Sequence, residues 1–327
     1  MESGTSKITP IFIFSLPRSG STLLQKIIAS SNQVSTSSEP WILLPLLYSQ
    51  KEQGTFTEYS HKLSVRAMND VKKQLLLNGN NYDKYLEKYI LSIYEGLSDT
   101  NSKYFLDKTP RYYLIIDEIS KIFPDAKFIF LFRNPLSQLA SQIEIHNSRF
   151  KTIYGDSIDI LHGHNLLMSS YNKLKNKSIQ INYFELITDV DSAIAKINKY
   201  LNINIDNSII NKLSDVKLKG TLGDPKMTNN VSDKISNQSL NKWKKSFNNP
   251  IRRYVAKKYL KRIDLEYFEL TGVSKEDLLI ELKKTKNNYF WFLLDFFDLI
   301  YCFINMKFKP NIIFSKNNSW VKYNRFD

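Results

Sequence analysis

Four short stretches carry side chains that could do chemistry together: Arg18 to Thr22, Glu39, Lys108, and Arg133 to Ser141. In the first, an apolar run over 11–14 breaks at Leu16-Pro-Arg-Ser-Gly20, and Ser21-Thr22 opens the helical pattern Leu23, Leu24, Ile27, Ile28. A strand, a tight polar loop and a helix start point unbonded backbone N–H groups at an anion. Gly20 permits close approach of the backbone. Ser19, Ser21 and Thr22 offer hydroxyls, and Arg18 offers a forked cation. The chemistry implied is the binding of a phosphate-like group. It is not the ATP type of cradle, which needs Gly-x-x-x-x-Gly-Lys-Ser/Thr; here Ser21 follows Gly20 where the lysine should stand.

The elements that must position these residues follow from apolar periodicity. Strands are expected over 11–14, 34–38, 104–106, 127–132 and 178–183. Helices are expected from the loop to about residue 30, and over 64–77, 82–97, 112–122, 136–145, 163–175 and 190–201. A short helix kinked by Pro45 is expected over 42–47. Strands alternating with helices imply right-handed βαβ units and a parallel sheet. The expected fold is therefore α/β: a three-layer, P-loop-like arrangement with a parallel central sheet flanked by helices. A helical insertion over 51–102 and C-terminal helices complete it, with an α/β domain over 1–270 and a helical extension over 271–327. In such sheets ligands bind beyond the carboxyl ends of the strands. Arg18, Glu39, Lys108, Arg133 and Tyr183 all lie at or just past those ends, and their convergence there argues for one site.

The chain has 327 residues, enough for a full core, and a formal charge of +14 from 46 basic and 32 acidic side chains. A positive field attracts nucleic acid, anionic lipid or a multiply charged cofactor; lysines and asparagines spread through the chain also fit a generic solvated surface. The single cysteine, Cys302, excludes an internal disulfide and a thiolate metal cage. Neither the histidines nor His162-Gly-His164 have the spacing of a strong metal site. The N-terminus MESGTSKITP lacks a signal-peptide pattern, so a cytoplasmic location is expected. A basic helical segment is expected to run from Trp243 through Leu260, and another amphipathic helix over 275–284. The most apolar stretch, 289–304, is short for a bilayer span and carries Asp295 and Asp298. Two readings remain for it: a buried or inter-subunit helix, or an interfacial membrane helix with basic flanks, which would make the chain peripherally membrane-associated.

Three motifs in order resemble the sulfotransferases that use 3′-phosphoadenosine 5′-phosphosulfate (PAPS). Leu16-Pro-Arg-Ser-Gly-Ser-Thr22 is similar to their 5′-phosphosulfate loop. Arg133-Asn-Pro, with Ser141 on the next helix, is similar to their 3′-phosphate motif, and Tyr183-Phe-Glu-Leu to a segment near the adenine. Lys219-Gly220, followed by Gly223-Asp224, is similar to a late basic loop that closes over the nucleotide. The resemblance covers roughly residues 10–245. It implies PAPS as cofactor and 3′,5′-adenosine bisphosphate as product, with Arg18, Ser19, Gly20, Ser21 and Thr22 on the 5′ end and Arg133 and Ser141 on the 3′-phosphate. A sulfuryl group carries less charge than a phosphoryl group, so cationic side chains can replace a metal, and none is implied.

The resemblance also divides the family by its base. One branch places a histidine two residues after the lysine; here Lys108-Thr109 is followed by Pro110. The chain instead resembles the branch with tyrosylprotein and many bacterial sulfotransferases, in which a glutamate is the base. Glu39, in Ser-Glu-Pro-Trp41, matches it, with Lys108 and Arg18 expected to stabilise charge on the sulfuryl and bridging oxygens. The residues alone also allow plainer readings: Glu39 as a helix-capping carboxylate, Tyr183 as core, Lys219 as an exposed loop lysine. A P-loop nucleotide kinase, with Asp107 as metal ligand, and a basic module for nucleic acid or anionic membrane are the rival functions. No nucleic-acid partner is expected under the main reading. The acceptor would bear a hydroxyl, of unknown class, and oligomeric state is left open.

Overall fold

Alternate residues of the central strands sort by chemistry, and this sorting makes the layers. The computed structural model describes residues 8–55, 57–220, 223 and 238–308. Strands β1 (Thr9–Phe14), β2 (Val34–Thr36), β3 (Tyr104–Asp107), β4 (Lys127–Phe132) and β5 (Ser178–Asn182) form one sheet in the order β2-β3-β1-β4-β5. Every pairing is parallel; Ile11 sits opposite both Leu106 and Lys127, and Phe132 opposite Asn182. Phe12, Phe14, Phe105, Phe128, Phe130 and Phe132 face one layer, while Ile11, Ile13, Leu106, Ile129, Leu131 and Ile181 face the other. Strands buried on both faces are what a parallel sheet requires.

The aliphatic face is covered by α1 (Ser21–Ala29) together with the helices Tyr183–Thr188 and Val190–Leu201. Leu24, Ile27 and Ile28 of α1 are fully buried there. The aromatic face takes α2 (Leu43–Tyr48), the helix Ile116–Ile122, and α6, defined below as Pro135–Ile145. The insertion between β2 and β3 folds as α3 (His61–Leu77) and α4 (Tyr82–Leu97). Of α3 only Val65 is buried; α4 is tied in by Leu86, Ile90 and Tyr94, whose ring stacks on Phe105 at 4.4 Å. The C-terminal segment also reaches this core, through Leu278, Leu282 and Cys302.

Three expectations about elements need correction. The helix foreseen over 112–122 is a 3₁₀ turn, Pro110–Leu114, then α5 (Ile116–Ile122), because the chain turns at Ile115, whose φ is −140°. The basic segment from Trp243 is interrupted at Phe247–Asn249 and restarts at Pro250, with Asn249 capping Arg252 N; proline is tolerated at a first turn and not within a helix. The apolar stretch forms a helix, Phe292–Phe308, whose aspartates are buried and whose Phe296, Phe297, Tyr301 and Phe303 side chains are exposed. Within this chain it is therefore not a fully buried helix, and the inter-subunit and membrane-surface readings are the ones left.

Candidate active site

The carboxyl ends of β1, β2, β3 and β4 meet at one edge of the sheet, and the loop after β1 is its centre. Arg18 there has φ of 66° and Gly20, the N-cap of α1, has φ of 90°. A Cβ on Gly20 would stand 2.4 Å from the Tyr183 ring, so only glycine fits both the turn and the approach. Helix α1 has no side-chain cap and no acidic residue in its first turn. Its N-terminus thus carries the positive end of a helix dipole with no carboxylate in its own first turn to answer it. Ser21 and Thr22 are buried on that first turn.

Two groups of polar side chains flank this turn. The first comes from α6 (Pro135–Ile145), which begins directly after β4 because Asn134 caps Leu136 N at 2.9 Å and Pro135 sits at the first turn. Arg133 Nη1 donates to the Arg18 carbonyl at 2.8 Å, and Arg18 Nε donates to Ser141 Oγ at 3.1 Å. The Arg133 guanidinium lies 4.0 Å from the centre of the Tyr183 ring. Arg18, Arg133, Ser141 and Tyr183, separate in sequence, are one cluster in space. The fork of Arg18 is drawn to the α6 side of the loop.

The second group stands on β3 and the loop after β2. Lys108 Nζ donates to Glu39 Oε1 at 2.6 Å and to Thr22 Oγ1 at 3.4 Å. The Lys108 side chain is 1% exposed and that of Glu39 12%. Trp41, held at φ of 54°, donates from Nε1 to Glu39 Oε2 at 3.3 Å. Gln25 of α1 fastens the loop that carries Glu39, donating to Ser37 O at 2.7 Å, Ser38 O at 3.1 Å and Thr36 Oγ1 at 2.9 Å. The late basic loop joins the same side: Ser38 N donates to Lys219 O at 2.8 Å, and Gly220, at φ of 125°, leaves room for Ser38. Lys219's own side chain points to solvent, 3.9 Å from Asp99. Asp224 lies outside the described residues.

Two further placements tie these residues into the core. Ser19 is fully buried and its hydroxyl accepts from Gln138 Nε2 at 2.5 Å. Gln138 Oε1 in turn bonds to His164 Nε2 at 2.9 Å and to the Tyr267 hydroxyl at 3.4 Å. Burial pushes His164 down to about 3, so it is neutral at physiological pH. Asp107, the metal ligand of the kinase alternative, is fully buried and accepts from Tyr94 at 2.7 Å, Tyr112 at 2.9 Å and Thr109 at 3.2 Å. Burial raises it to about 6 despite these bonds. Through Tyr94 it anchors α4 of the insertion to the sheet, and the Lys108 ammonium beside it partly offsets the effect of burial.

Gln25, Trp41, Gln138 and His164 join these groups without belonging to any of the motifs. For Gln138 a signal existed: it stands one helical turn before Ser141 on α6. Nothing local marks Gln25 as the holder of the Glu39 loop.

Comparison with known proteins now decides the family. The profile of the sulfotransferase family matches residues 10–207, more than half of the chain. The chain belongs to the sulfotransferase family. A nodulation protein, NoeE, of Sinorhizobium fredii is 26% identical over 132 residues, 40% of this chain and 30% of that protein. An uncharacterised protein of Aquifex aeolicus is 24% identical over 216 residues, 62% of this chain and 26% of that one. The chain thus matches under a third of the length of either relative. Among solved structures, the sulfotransferase domain from the curacin biosynthetic pathway superposes with a TM-score of 0.51 at 19% identity, covering 72% of this chain and 90% of that domain. That likeness supports the fold: a parallel sheet between helical layers, as the sequence pattern implied.

Proposed function

We propose that this sulfotransferase takes PAPS as donor and moves its sulfuryl group to an acceptor hydroxyl, with Glu39 as general base. The observation that carries the reading is the pairing of Lys108 with Glu39 at 2.6 Å beside the α1 N-terminus, with the Arg133–Arg18–Ser141 cluster on the other flank. An adenosine 3′-phosphate 5′-phosphosulfate is anionic at both ends, and the site has a cationic or dipolar holder for each. The donor set fits: a glycine turn at van der Waals limits, a helix start without a side-chain cap, two arginines and a lysine.

When bound, PAPS supplies the activated sulfuryl group. The turn from Ser19 to Thr22 would hold its 5′ end at the α1 dipole, and Arg133 with Ser141 its 3′-phosphate. Tyr183 and Gly220 would border the nucleotide, with Lys219 over it. Arg18, anchored to Ser141, would span the two ends and counter charge on the transferring group. Glu39 is aimed by Trp41 Nε1 and by Lys108. Release of the Lys108 bond gives Glu39 Oε1 a lone pair for the acceptor proton and leaves the ammonium for the departing oxygen. Transfer of this kind rests on in-line positioning more than on covalent chemistry.

Labelled PAPS offered with carbohydrate, lipid, peptide and small-molecule alcohols tests the reaction and finds the acceptor class. Glu39→Gln should abolish most of the transfer while binding of 3′,5′-adenosine bisphosphate persists. Near-normal turnover of that variant would remove Glu39 from the base role.

A further inference from the structure

Helix Phe292–Phe308 carries a polar stripe, Asp295, Asp298, Cys302 and Asn305, at helical spacing, and every member of it is buried. Both carboxylates are answered from inside. Asp295 receives Arg252 Nε at 2.7 Å, Arg252 Nη2 at 2.8 Å and Asn249 Nδ2 at 2.7 Å. Asp298 receives Arg149 Nε at 2.9 Å and Nη2 at 2.6 Å. The rotation of the helix is thereby fixed, and what it turns outward is apolar. Leu293, Phe296, Phe297, Ile300, Phe303 and Ile304 are between 41% and 69% exposed, and Phe290 at the leading end is 77% exposed. Contiguous apolar surface of this kind marks an interaction site.

The charges around the patch say what covers it. The only acidic residues between Tyr289 and Lys307 are the two buried aspartates. Lys283 and Lys286 precede the patch and Lys307 ends it, all exposed, while Lys284 is paired with Glu281 at 3.1 Å, on a chain of net charge +14. A second copy would set lysine bracket against lysine bracket with no outward carboxylate between them. An anionic lipid surface answers both the lysines and the aromatic face. Among the described residues no helix is long and apolar enough to cross a membrane. We infer that Phe292–Phe308 lies in the plane of an anionic bilayer surface, its Phe296–Phe297–Phe303 side in the acyl boundary and its flanking lysines at the headgroups. This docking surface stands independently of the catalytic reading.

The test is co-sedimentation of the full chain with vesicles of phosphatidylcholine alone and of phosphatidylcholine with phosphatidylglycerol. Binding to the anionic vesicles should exceed binding to the neutral ones by about tenfold or more and should weaken with salt. Phe297→Glu with Phe303→Glu should lose about tenfold of that binding while far-UV circular dichroism and Tm stay unchanged. Phe297→Ser with Phe303→Ser, which adds no charge to the helix, should lose binding in the same direction. A chain that stays in the supernatant, variants that bind as well as the parent, or a dimer by light scattering that the variants dissociate without any vesicle binding would each overturn the inference.

Discussion

Two buried ion pairs in this molecule differ in geometry and in how they meet solvent. Arg252 meets Asp295 fork to fork, with the lysine-free geometry of two parallel N–H···O bonds at 2.7 and 2.8 Å, and its other donors reach Ser148 O at 2.7 Å and Ser246 O at 3.2 Å. Lys108 meets Glu39 through one oxygen at 2.6 Å, with a long second bond to Thr22 at 3.4 Å. Arginine's rigid fork suits a permanent staple, whereas an ammonium on a flexible stem can change partner. The first pair is closed on both sides, at 3% and 1% exposure; the second opens through Glu39, at 12%, onto the edge where the donor would sit. Burial of charge alone does not identify a site. Under the proposed function, the pair beside the uncapped start of α1 is the one that must open during transfer.

Removing the staple should cost the most stability. Asp295→Ala leaves Arg252 charged and buried, a loss of about 3–5 kcal/mol in unfolding free energy, read by chemical denaturation. Lys108→Ala should act mainly on rate. Its partner keeps the Trp41 bond and some solvent, so Tm should fall less than for Asp295→Ala, while transfer drops about 10²–10³-fold. An equal loss of stability in the two variants would erase the distinction between staple and site. Gly20→Ala forces a Cβ to within 2.4 Å of the Tyr183 ring at φ of 90°, at a cost of about 1–3 kcal/mol, with weaker nucleotide binding by calorimetry.

The smallest effect at neutral pH belongs to His164→Gln, about 1 kcal/mol for the disturbed hydrogen bond to Gln138. Its signature is in acid. The folded-state value of His164 is lowered from 6.5 to about 3, so the stability it contributes is complete above 6.5 and is lost as pH falls towards 3. The variant should lose less stability across that window, as measured by urea midpoints at a series of pH values. Asp107 runs oppositely: raised from 3.8 to about 6, its contribution is complete below 3.8 and fades as pH rises through 6.

Much of this was legible in sequence where local signals agreed. The KFIFLF run gave β4 with its bounds, since a six-residue apolar strand between Pro124 and Pro135 has few alternatives. Arg18, Glu39, Lys108, Arg133 and Tyr183 were placed together by one rule, that ligands gather at the carboxyl ends of parallel strands. What escaped depended on long-range contact. Ser19 gave no hint that it would turn inward to Gln138, 119 residues away. The break at Ile115, where φ is −140°, falls inside an apolar period that runs on through it. The outward aromatic face of Phe292–Phe308 was half visible: the spacing of Asp295, Asp298, Cys302 and Asn305 marks one side as polar, but only Arg149 and Arg252 show that this side is the inner one.

The central claim, a site built for an adenosine nucleotide with phosphates at both 3′ and 5′ ends, is tested most directly by calorimetry with 3′,5′-adenosine bisphosphate in the absence of magnesium. Such a site should bind it tightly, far more so than ATP under the same conditions, and lose it in Arg133→Ala. Equal binding of the two nucleotides, or binding of ATP alone, would contradict it.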